Sequence, residues 1–376
     1  IIVTPEGNRK TFDANKSEAF AEKLLTALNY GSLSLMMSIG HRTGIFDAMR
    51  VLPPSTSEEV ANASGLNERY VREWLGAMVT AGVIDVDSTS SKYTLPQEHS
   101  AFLTRAAGAD NFAVFTQYIG LLGSVEDKIV ECFKKGGGVP YDDFLRFHAI
   151  MAEDSGQSVL SSLESHVLPL VPGLTDRLTD GISVLDIGCG RGLMLNRLAE
   201  LYPNSRFTGM DLSVEAIGQA RADASQKKSD NVEFLVRDLS DFDETAPSES
   251  FDLITSFDAI HDQVKPLNVL KGIYCALKSD GVYLIQDIRG SSQVYNNVDH
   301  PIGTFLYTIS TMHCMTVSLS QGGEGLGAMW GEEKARTHKW KQSMYHYRPP
   351  VKLFYRNLLF NNLTHTIQPF FYLIKD

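Results

Sequence analysis

The chain has 376 residues, of which 43% are hydrophobic, a length that allows two domains with separate cores. It carries 34 basic and 45 acidic residues, and the net charge of −11 argues against a nucleic-acid or anionic-membrane partner. The four cysteines are widely spaced without a CxxC pair, and neither a membrane span nor a secretory signal is evident. We therefore expect a cytoplasmic protein with reduced thiols and no bound metal.

Residues 1–105 predict a mostly helical domain that contains a winged helix. Residues 18–38 carry more apolar side chains than one face of a solvated helix needs. Two consecutive helices are predicted next. The first begins at a Ser/Thr cap near residue 56 and ends at a turn at Gly65, and the second begins at the cap Asn67. Two short wing strands are then expected, at residues 81–86 and 92–95.

A winged helix allows a DNA-binding interpretation, with Arg69 and Arg72 on the recognition helix. However, residues 55–105 hold seven acidic and four basic side chains, which is a poor match for a phosphate backbone. We therefore favour a dimerisation module and expect no nucleic-acid partner, with a DNA-binding regulator as the alternative.

The middle of the chain, residues 106–180, predicts a helical connector. Residues 181–335 then alternate strand and helix patterns, as an open parallel sheet with right-handed crossovers requires. The helical patterns before residue 181 cover residues 101–118, 124–135, 141–152 and 157–168, and the pattern from 266 to 277 precedes a fifth strand at 281–287.

The most informative stretch is VLDIGCGRG at residues 184–192. A short buried strand containing Asp186 runs into glycines at positions 188, 190 and 192, and a helix pattern follows. Such glycines let the backbone turn sharply and approach a ligand closely. A dinucleotide fingerprint would need glycine at position 193, where this chain has leucine.

Three further predicted strands end in residues that suit a nucleoside at the same edge of the sheet. An acidic residue after the second strand can accept hydrogen bonds from both ribose hydroxyls, because a carboxylate has two acceptor oxygens. The strand ends are Asp211 with Leu212, Asp238 with Leu239, and Phe257 with Asp258.

The glycine motif and these strand ends resemble the class I S-adenosylmethionine (SAM)-dependent methyltransferases, and the preceding winged helix is similar to that of small-molecule O-methyltransferases. The resemblance covers about residues 25–335 and implies a Rossmann-like domain, a mostly parallel sheet with helices on both faces. It implies SAM as cofactor, O-methylation of a small-molecule substrate and a homodimer formed through the N-terminal domain. The resemblance implies that Asp211 binds the ribose and that Asp238 accepts a hydrogen bond from the adenine amino group. The cofactor residues that the resemblance implies are Asp186, Gly188, Cys189, Gly190, Gly192, Asp211, Leu212, Asp238, Leu239, Phe257 and Asp258.

His261 is the candidate general base. It follows the fourth strand, where the acceptor should approach the methyl group, and a hydroxyl acceptor benefits from a base near pH 7. The His261-Asp262 pair is similar to the His-Asp dipeptide of plant-type O-methyltransferases, in which that histidine is the base. Those enzymes continue with Trp, whereas Gln263 follows here, and the alternative is a histidine that only shapes the pocket.

Residues 287–331 form a long insertion after the fifth strand, which we expect to cover the crevice as a substrate lid. A metal site of His300, His313 and Cys314 is not expected, because it lacks a carboxylate. The candidate acceptor-pocket residues are His300, Tyr307, His313 and Trp330, with ordinary lid packing as the alternative for each.

Residues 336–376 depart from the usual ending of the family, which has two closing antiparallel strands. The apolar runs near 351–360 and 367–374 predict either edge strands or a last helix. This ending keeps open two alternatives to an active enzyme, a SAM-binding winged-helix regulator and a catalytically inactive methyltransferase-like protein.

Overall fold

The computed structural model describes residues 12–335, 352–353 and 370–375. The chain divides into two compact units, with the boundary between Ala106 and Ala107. In the described ranges, no helix combines the length and the apolar character that crossing a bilayer requires.

The first unit is mostly helical and has a two-stranded antiparallel wing, as the sequence predicts. Thr56 and Glu59 form a reciprocal capping box, and the Asn67 side chain caps the next helix. The elements are α1 (Ala14–Thr43), α2 (Ile45–Val51), α3 (Ser57–Ser64), α4 (Glu68–Thr80), β1 (Asp85–Asp87), β2 (Lys92–Thr94) and α5 (Gln97–Leu103).

The core of the first unit forms around the helix α4. Its Trp74 and Leu75 are buried, and the Trp74 ring meets Phe46 of α2 edge to face at 5.1 Å. The Trp74 indole N–H donates to the Met36 carbonyl of α1 at 2.8 Å, which satisfies the polar atom of this buried ring. Packing therefore joins α1, α2 and α4 into one body.

The second unit alternates strands and helices after a helical entry. Segments of 3-10 helix lie at 105–110, 141–143, 168–170 and 294–297, and π-helical turns lie at 156–160, 163–167 and 310–314. The helices are α6 (Ala113–Gly123), α7 (Glu126–Lys135), α8 (Phe147–Ser155), α9 (Leu174–Asp180), α10 (Leu193–Leu201), α11 (Val214–Lys227), α12 (Phe242–Thr245), α13 (Pro266–Ala276), α14 (Gly303–Ile309), α15 (Met315–Ser320) and α16 (Gly331–Ala335). The strands are β3 (Ser183–Ile187), β4 (Arg206–Asp211), β5 (Val232–Val236), β6 (Phe251–Phe257), β7 (Leu277–Asp287), β8 (Lys352–Leu353) and β9 (Phe370–Lys375).

These strands form one sheet in the order β5-β4-β3-β6-β7-β9-β8. The strands β3 to β7 pair in parallel, while β9 pairs antiparallel with β7 and with β8. The strand order reverses direction between β3 and β6, and in open α/β sheets such a switch point forms a crevice for ligands. The fold therefore places the carboxyl ends of β3 and β6 at the expected binding edge.

Both faces of the sheet are covered by helices, because successive side chains of a strand point to opposite faces. On β3, Val184 belongs to the core formed with Leu195 of α10 and Ile217 of α11. Its neighbour Leu185 belongs to the opposite core, formed with α13. The Rossmann-like arrangement that the sequence predicts is confirmed.

The structure also corrects several predicted elements. The helix predicted at 101–118 is divided by a 3-10 segment, since Gly108 has φ +59° and interrupts the helical backbone. The predicted helix at 157–168 is mostly π-helical, and β7 begins at Leu277 rather than at residue 281. The edge-strand alternative holds for β9, while most of residues 336–376 lie outside the described residues.

Candidate active site

A cavity of about 890 Å³ lies at the carboxyl ends of the parallel strands. Its position follows from the topology, because the ends of β3, β4, β5 and β6 all open toward the same edge. The structure brings together at this cavity every residue that the sequence predicts for cofactor binding: Asp186, Gly188, Cys189, Gly190, Gly192, Asp211, Leu212, Asp238, Leu239, Phe257 and Asp258.

The glycine loop after β3 forms the floor of the cavity. Gly188 has φ +71°, and a Cβ built there would lie 2.4 Å from the Ala259 Cβ, so only glycine fits. Gly190 has φ +52°, and a Cβ there would meet no described atom within 4 Å. Gly188 is therefore required by close packing against Ala259, whereas the backbone of Gly190 borders open space.

Asp211, at the end of β4, organises this loop. Its Oδ2 accepts a hydrogen bond from the Gly190 N–H at 2.8 Å, and its Oδ1 accepts one from the Ser213 N–H at 2.8 Å. Each carboxylate oxygen keeps acceptor capacity for a further donor. Asp211 thus joins the glycine loop to the start of α11 and presents two acceptor oxygens at the cavity.

Asp186 is buried at the end of β3, with 5% of its surface exposed. The Thr255 hydroxyl of the neighbouring strand β6 donates to its Oδ1 at 2.7 Å. Burial raises the pKa of this carboxyl to about 7, against the opposing hydrogen bond from Thr255. The group can therefore exchange a proton near neutral pH.

Asp238 and Leu239 follow β5 and differ in exposure. Asp238 is exposed, and its Oδ1 accepts the Ser240 N–H at 2.8 Å, whereas Leu239 is 3% exposed. An acceptor oxygen beside an apolar surface suits a flat heteroaromatic ring with a donor at its edge.

Asp258, at the end of β6, has φ +49°, an uncommon conformation for a residue that carries a side chain. The Gln286 amide donates to its Oδ2 at 3.1 Å, while its Oδ1 is buried and has no hydrogen-bond partner among the described residues. Burial raises the pKa of Asp258 to about 8, with the nearby Asp287 carboxylate acting in the same direction.

His261 lies behind the cavity wall and is 2% exposed. Its Nδ1 is 2.8 Å from Asp287 Oδ1 of β7, and its Nε2 is 3.3 Å from Asp262 Oδ1. Burial is the largest influence on the pKa of His261 and lowers it. The Asp287 and Asp262 carboxylates outweigh that influence, so the pKa stands well above its ordinary value. His261 is held between two carboxylates, of which Asp262 lines the cavity.

Cys314 lies beside this pair, and the donor atoms of His261, Asp262 and Cys314 are all within 4.8 Å of one another. Burial raises the pKa of the Cys314 thiol to about 12, so the thiol is neutral near pH 7. This grouping differs from the combination with His300 and His313 that the sequence analysis considered.

The four predicted acceptor-pocket residues all lie in the described part of the chain, but none of them lines the cavity. His300 Nε2 is 3.1 Å from the Arg289 carbonyl, the Tyr307 hydroxyl accepts the Asn297 amide at 3.0 Å, and Trp330 is buried. His313 is fully buried and stacks on the Phe147 ring, with ring centroids 3.7 Å apart. Since Phe147 lines the cavity, His313 lies one layer behind the wall, and the pocket role of these residues stays a prediction.

Sequence reasoning missed one wall of the cavity. It is formed by residues between the end of α7 and the end of α8, a stretch that predicts only a helix within the connector. Helical periodicity gives no indication of which cavity a helix faces, so no local signal identifies these side chains. They include Tyr141, Phe144, Phe147, His148 and Met151.

Comparisons with known proteins agree with this architecture. Residues 31–105 match the Rv2258c-like winged HTH domain, and residues 178–343 match a methyltransferase domain. The chain is similar to ubiquinone biosynthesis O-methyltransferase of Actinobacillus pleuropneumoniae serotype 7, with 30% identity over 118 residues, 31% of this chain and 49% of that protein. It thus spans about half the length of the curated relatives that it matches.

Two solved structures have the same fold. The mitomycin 7-O-methyltransferase MmcR is 16% identical with a TM-score of 0.66, and the alignment covers 96% of this chain and 100% of that chain. Human N-acetylserotonin methyltransferase, solved in complex with SAM, is 16% identical with a TM-score of 0.62, covering 98% and 99%. The chain therefore carries an Rv2258c-like winged HTH domain followed by a methyltransferase domain, the combination that the sequence predicts.

Proposed function

We propose that this chain is a SAM-dependent methyltransferase that methylates a small molecule at oxygen. The observation that carries the proposal is the glycine loop joined to Asp211 at the switch point of the sheet. The similarity to ubiquinone biosynthesis O-methyltransferase supports the choice of oxygen as the methylated atom.

The residues of the cavity fit SAM. Asp211 offers two acceptor oxygens for the ribose, and Asp238 beside Leu239 offers an acceptor and an apolar surface for adenine. Gly190 leaves room at the loop where a side chain would intrude. When bound, SAM supplies a methyl group on a positively charged sulfur, and the acidic lining of the cavity favours a cation.

We assign the general-base role to His261. Asp287 accepts a hydrogen bond from Nδ1, which leaves Nε2 as the basic atom. Nε2 faces Asp262 Oδ1 at 3.3 Å, and Asp262 lines the cavity, so the proton of an acceptor hydroxyl reaches Nε2 by way of the Asp262 carboxylate. The Asp287 and Asp262 carboxylates raise the pKa of His261, so the imidazole loses its proton only at a pH above the ordinary pKa of histidine. This assignment predicts activity that increases with pH.

The insertion at 287–331 is proposed as the acceptor lid. Its support is that Ser320 and Gln321 of the insertion line the cavity and that His313 stacks on Phe147 of the cavity wall. Under this proposal His300, Tyr307 and Trp330 shape the lid, and acceptor specificity depends on it.

We infer that the protein acts in the cytoplasm as a homodimer formed through the N-terminal unit. The helix α1 is 30 residues long and exposes Phe20, Leu24, Leu25 and Leu28, each more than half exposed in the single chain. Such a row of apolar side chains is typical of a surface that a protein partner covers.

The helix α4 is poorly suited to binding nucleic acid. Arg69 pairs with Glu73 at 2.6 Å and Arg72 pairs with Glu68 at 3.3 Å, so both arginines of the predicted recognition helix face carboxylates of that helix. Phosphate contacts would have to compete with these ion pairs.

Calorimetric titration of the intact chain with SAM and S-adenosylhomocysteine tests the proposal. Saturable binding of both, followed by transfer of a labelled methyl group to a phenolic acceptor, is the expected result. A folded chain that binds neither ligand would overturn the proposal in favour of an inactive methyltransferase-like protein. Binding of SAM with salt-dependent duplex binding and no methyl transfer would favour the regulator.

A further inference from the structure

The cavity lining contains two carboxyl groups, those of Asp258 and Asp262, that the proposed contacts to ribose and adenine do not use, although the resemblance implies a cofactor role for Asp258. Asp258 and Asp262 both line the cavity on the same turn after β6. Asp258 Oδ1 is buried without a hydrogen-bond partner in the described part of the chain, and Asp262 Oδ1 approaches His261 without hydrogen-bond geometry. The His261 imidazole compensates Asp262, whereas a buried carboxyl oxygen without a donor, such as Asp258 Oδ1, costs free energy that a ligand donor would offset.

The groups that face Asp258 come from every element around it. The carboxyl groups of Asp287 on β7, Asp262 after β6 and Asp154 on α8 all disfavour its ionisation, while the His261 imidazole favours it. The Tyr118 hydroxyl of α6 lies nearby and donates to Asp154 at 3.0 Å. The surroundings of Asp258 therefore combine three carboxyl groups with one imidazole.

Aromatic rings line the same wall. The Tyr141 hydroxyl donates to Asp262 Oδ2 at 3.1 Å, which holds the phenol ring next to the carboxylate. Tyr141 stacks on His148 with a centroid distance of 5.8 Å, and it meets Phe147 at 5.9 Å. All three rings line the cavity, so aromatic faces and carboxylates meet at one place.

Carboxylates beside aromatic faces form the environment that binds organic cations, through ion pairing and cation–π attraction. We propose that the methyl acceptor binds where Asp258, Asp262 and these aromatic rings line the cavity. We propose further that this acceptor is an organic cation, an amine- or ammonium-bearing small molecule, with Asp258 and Asp262 as its counter-ions. The inference deepens the proposed function, on which it depends, by naming the substrate class of the same cavity.

Proton release distinguishes this mode of binding. Because the pKa of Asp258 is raised to about 8, its carboxyl group is mostly protonated at pH 7. A bound cation favours the carboxylate, so binding at pH 7 should release up to about one proton. Cation affinity should rise between pH 6 and pH 8 and fall only when an amine ligand loses its own proton, near pH 10.

The experiment is a titration of the full chain, saturated with S-adenosylhomocysteine, with dopamine and with 4-propylcatechol. These probes differ in an ammonium versus a methyl group, so their affinity ratio measures the cation preference. We expect dopamine to bind at least tenfold more tightly at pH 8 and to release protons at pH 7, read from binding enthalpies in two buffers. Benzyltrimethylammonium, which carries a permanent charge, should also bind.

Asp258→Asn and Asp262→Asn should each bring the affinity ratio toward one while 4-propylcatechol binding changes little, which also reports that the cavity is intact. Asp280→Asn, at an exposed carboxylate away from the cavity lining, makes the same charge change and should keep the ratio. Equal affinity of the two catechols, or no binding of either cation, would overturn the inference and leave the proposed function in place. A chain that does not bind S-adenosylhomocysteine would instead contradict the proposed function itself.

Discussion

Replacing Asp211 with alanine is the most direct test of the proposed cofactor site. The substitution removes the acceptor of two backbone N–H groups, those of Gly190 and Ser213, each at 2.8 Å. Hydrogen bonds to a charged group contribute about 1.5–3 kcal/mol each, but Asp211 is only half-buried and water can partly replace the carboxylate. We therefore expect the free energy of unfolding to fall by about 1–3 kcal/mol in total.

The effect on ligand affinity should exceed what the loss of stability suggests. Asp211→Ala removes the proposed acceptor of both ribose hydroxyls and also releases the Gly190 loop that faces the ligand. A loss of about 2 kcal/mol or more in binding corresponds to an affinity at least about 30-fold weaker. Asp211→Asn should fall between the wild type and Asp211→Ala, because an amide keeps one acceptor oxygen but turns N–H donors toward the other backbone N–H.

The assay is calorimetric titration with S-adenosylhomocysteine, together with urea unfolding of each variant without ligand. Asp280→Ala is the matched control, since Asp280 is an exposed carboxylate near the start of β7, away from the lining of the cavity. If a folded Asp211→Ala variant bound S-adenosylhomocysteine with wild-type affinity, the assignment of the cavity to the nucleoside would be refuted.

Three further predictions address the loop, the base and the dimer. Gly188→Ala should lower the free energy of unfolding by about 2–5 kcal/mol, because it adds both left-handed backbone strain and a clash. Gly190→Ala should lower it by only about 1–2 kcal/mol but should weaken S-adenosylhomocysteine binding. Equal losses of stability of the two variants in urea unfolding would contradict this. Because the pKa of His261 is raised above 6.5, kcat/KM should fall as the pH decreases through a midpoint above 6.5. His261→Asn should lower kcat by about 10²–10⁴-fold. A midpoint below 6.5 in the wild-type pH profile would argue against His261 as the base. Leu24→Glu with Leu28→Glu should shift the protein to monomers in sedimentation velocity, and an unchanged sedimentation coefficient would direct the search for the interface elsewhere.

The part of the cavity that we propose for the cofactor was predictable because its signals are local. Gly188 and Gly190 follow a buried strand directly, and Asp211 and Asp238 each come at a predicted strand end. Parallel strands open their carboxyl ends toward one edge, so residues that are far apart in sequence meet without any knowledge of packing. For that reason all eleven predicted residues line a single cavity.

The wall of the cavity that we propose for the acceptor was not predictable in the same way. Tyr141, Phe147 and His148 come from a stretch whose helical pattern indicates an element but not what that element packs against. The Asp287 partner of His261 was equally hidden, since it lies 26 residues along the chain on another strand. Only tertiary packing brings these groups together.

The end of β6 shows why such a site escapes sequence rules. Asp258 adopts the left-handed region with φ +49°, a conformation that is uncommon outside glycine but is tolerated by asparagine and aspartate. A buried carboxyl group favours a hydrogen-bond partner, yet Asp258 Oδ1 has none among the described residues. A cost of this kind persists when the surrounding structure enforces it and when a ligand gains from it. The raised pKa values of Asp258, Asp186 and His261 occur around this one cavity, at the edge of the sheet where the topology alone places a ligand. The left-handed backbone of Asp258, its carboxyl oxygen without a described hydrogen-bond partner and the sheet topology are independent observations, and together they support our proposal that the acceptor binds at this turn after β6.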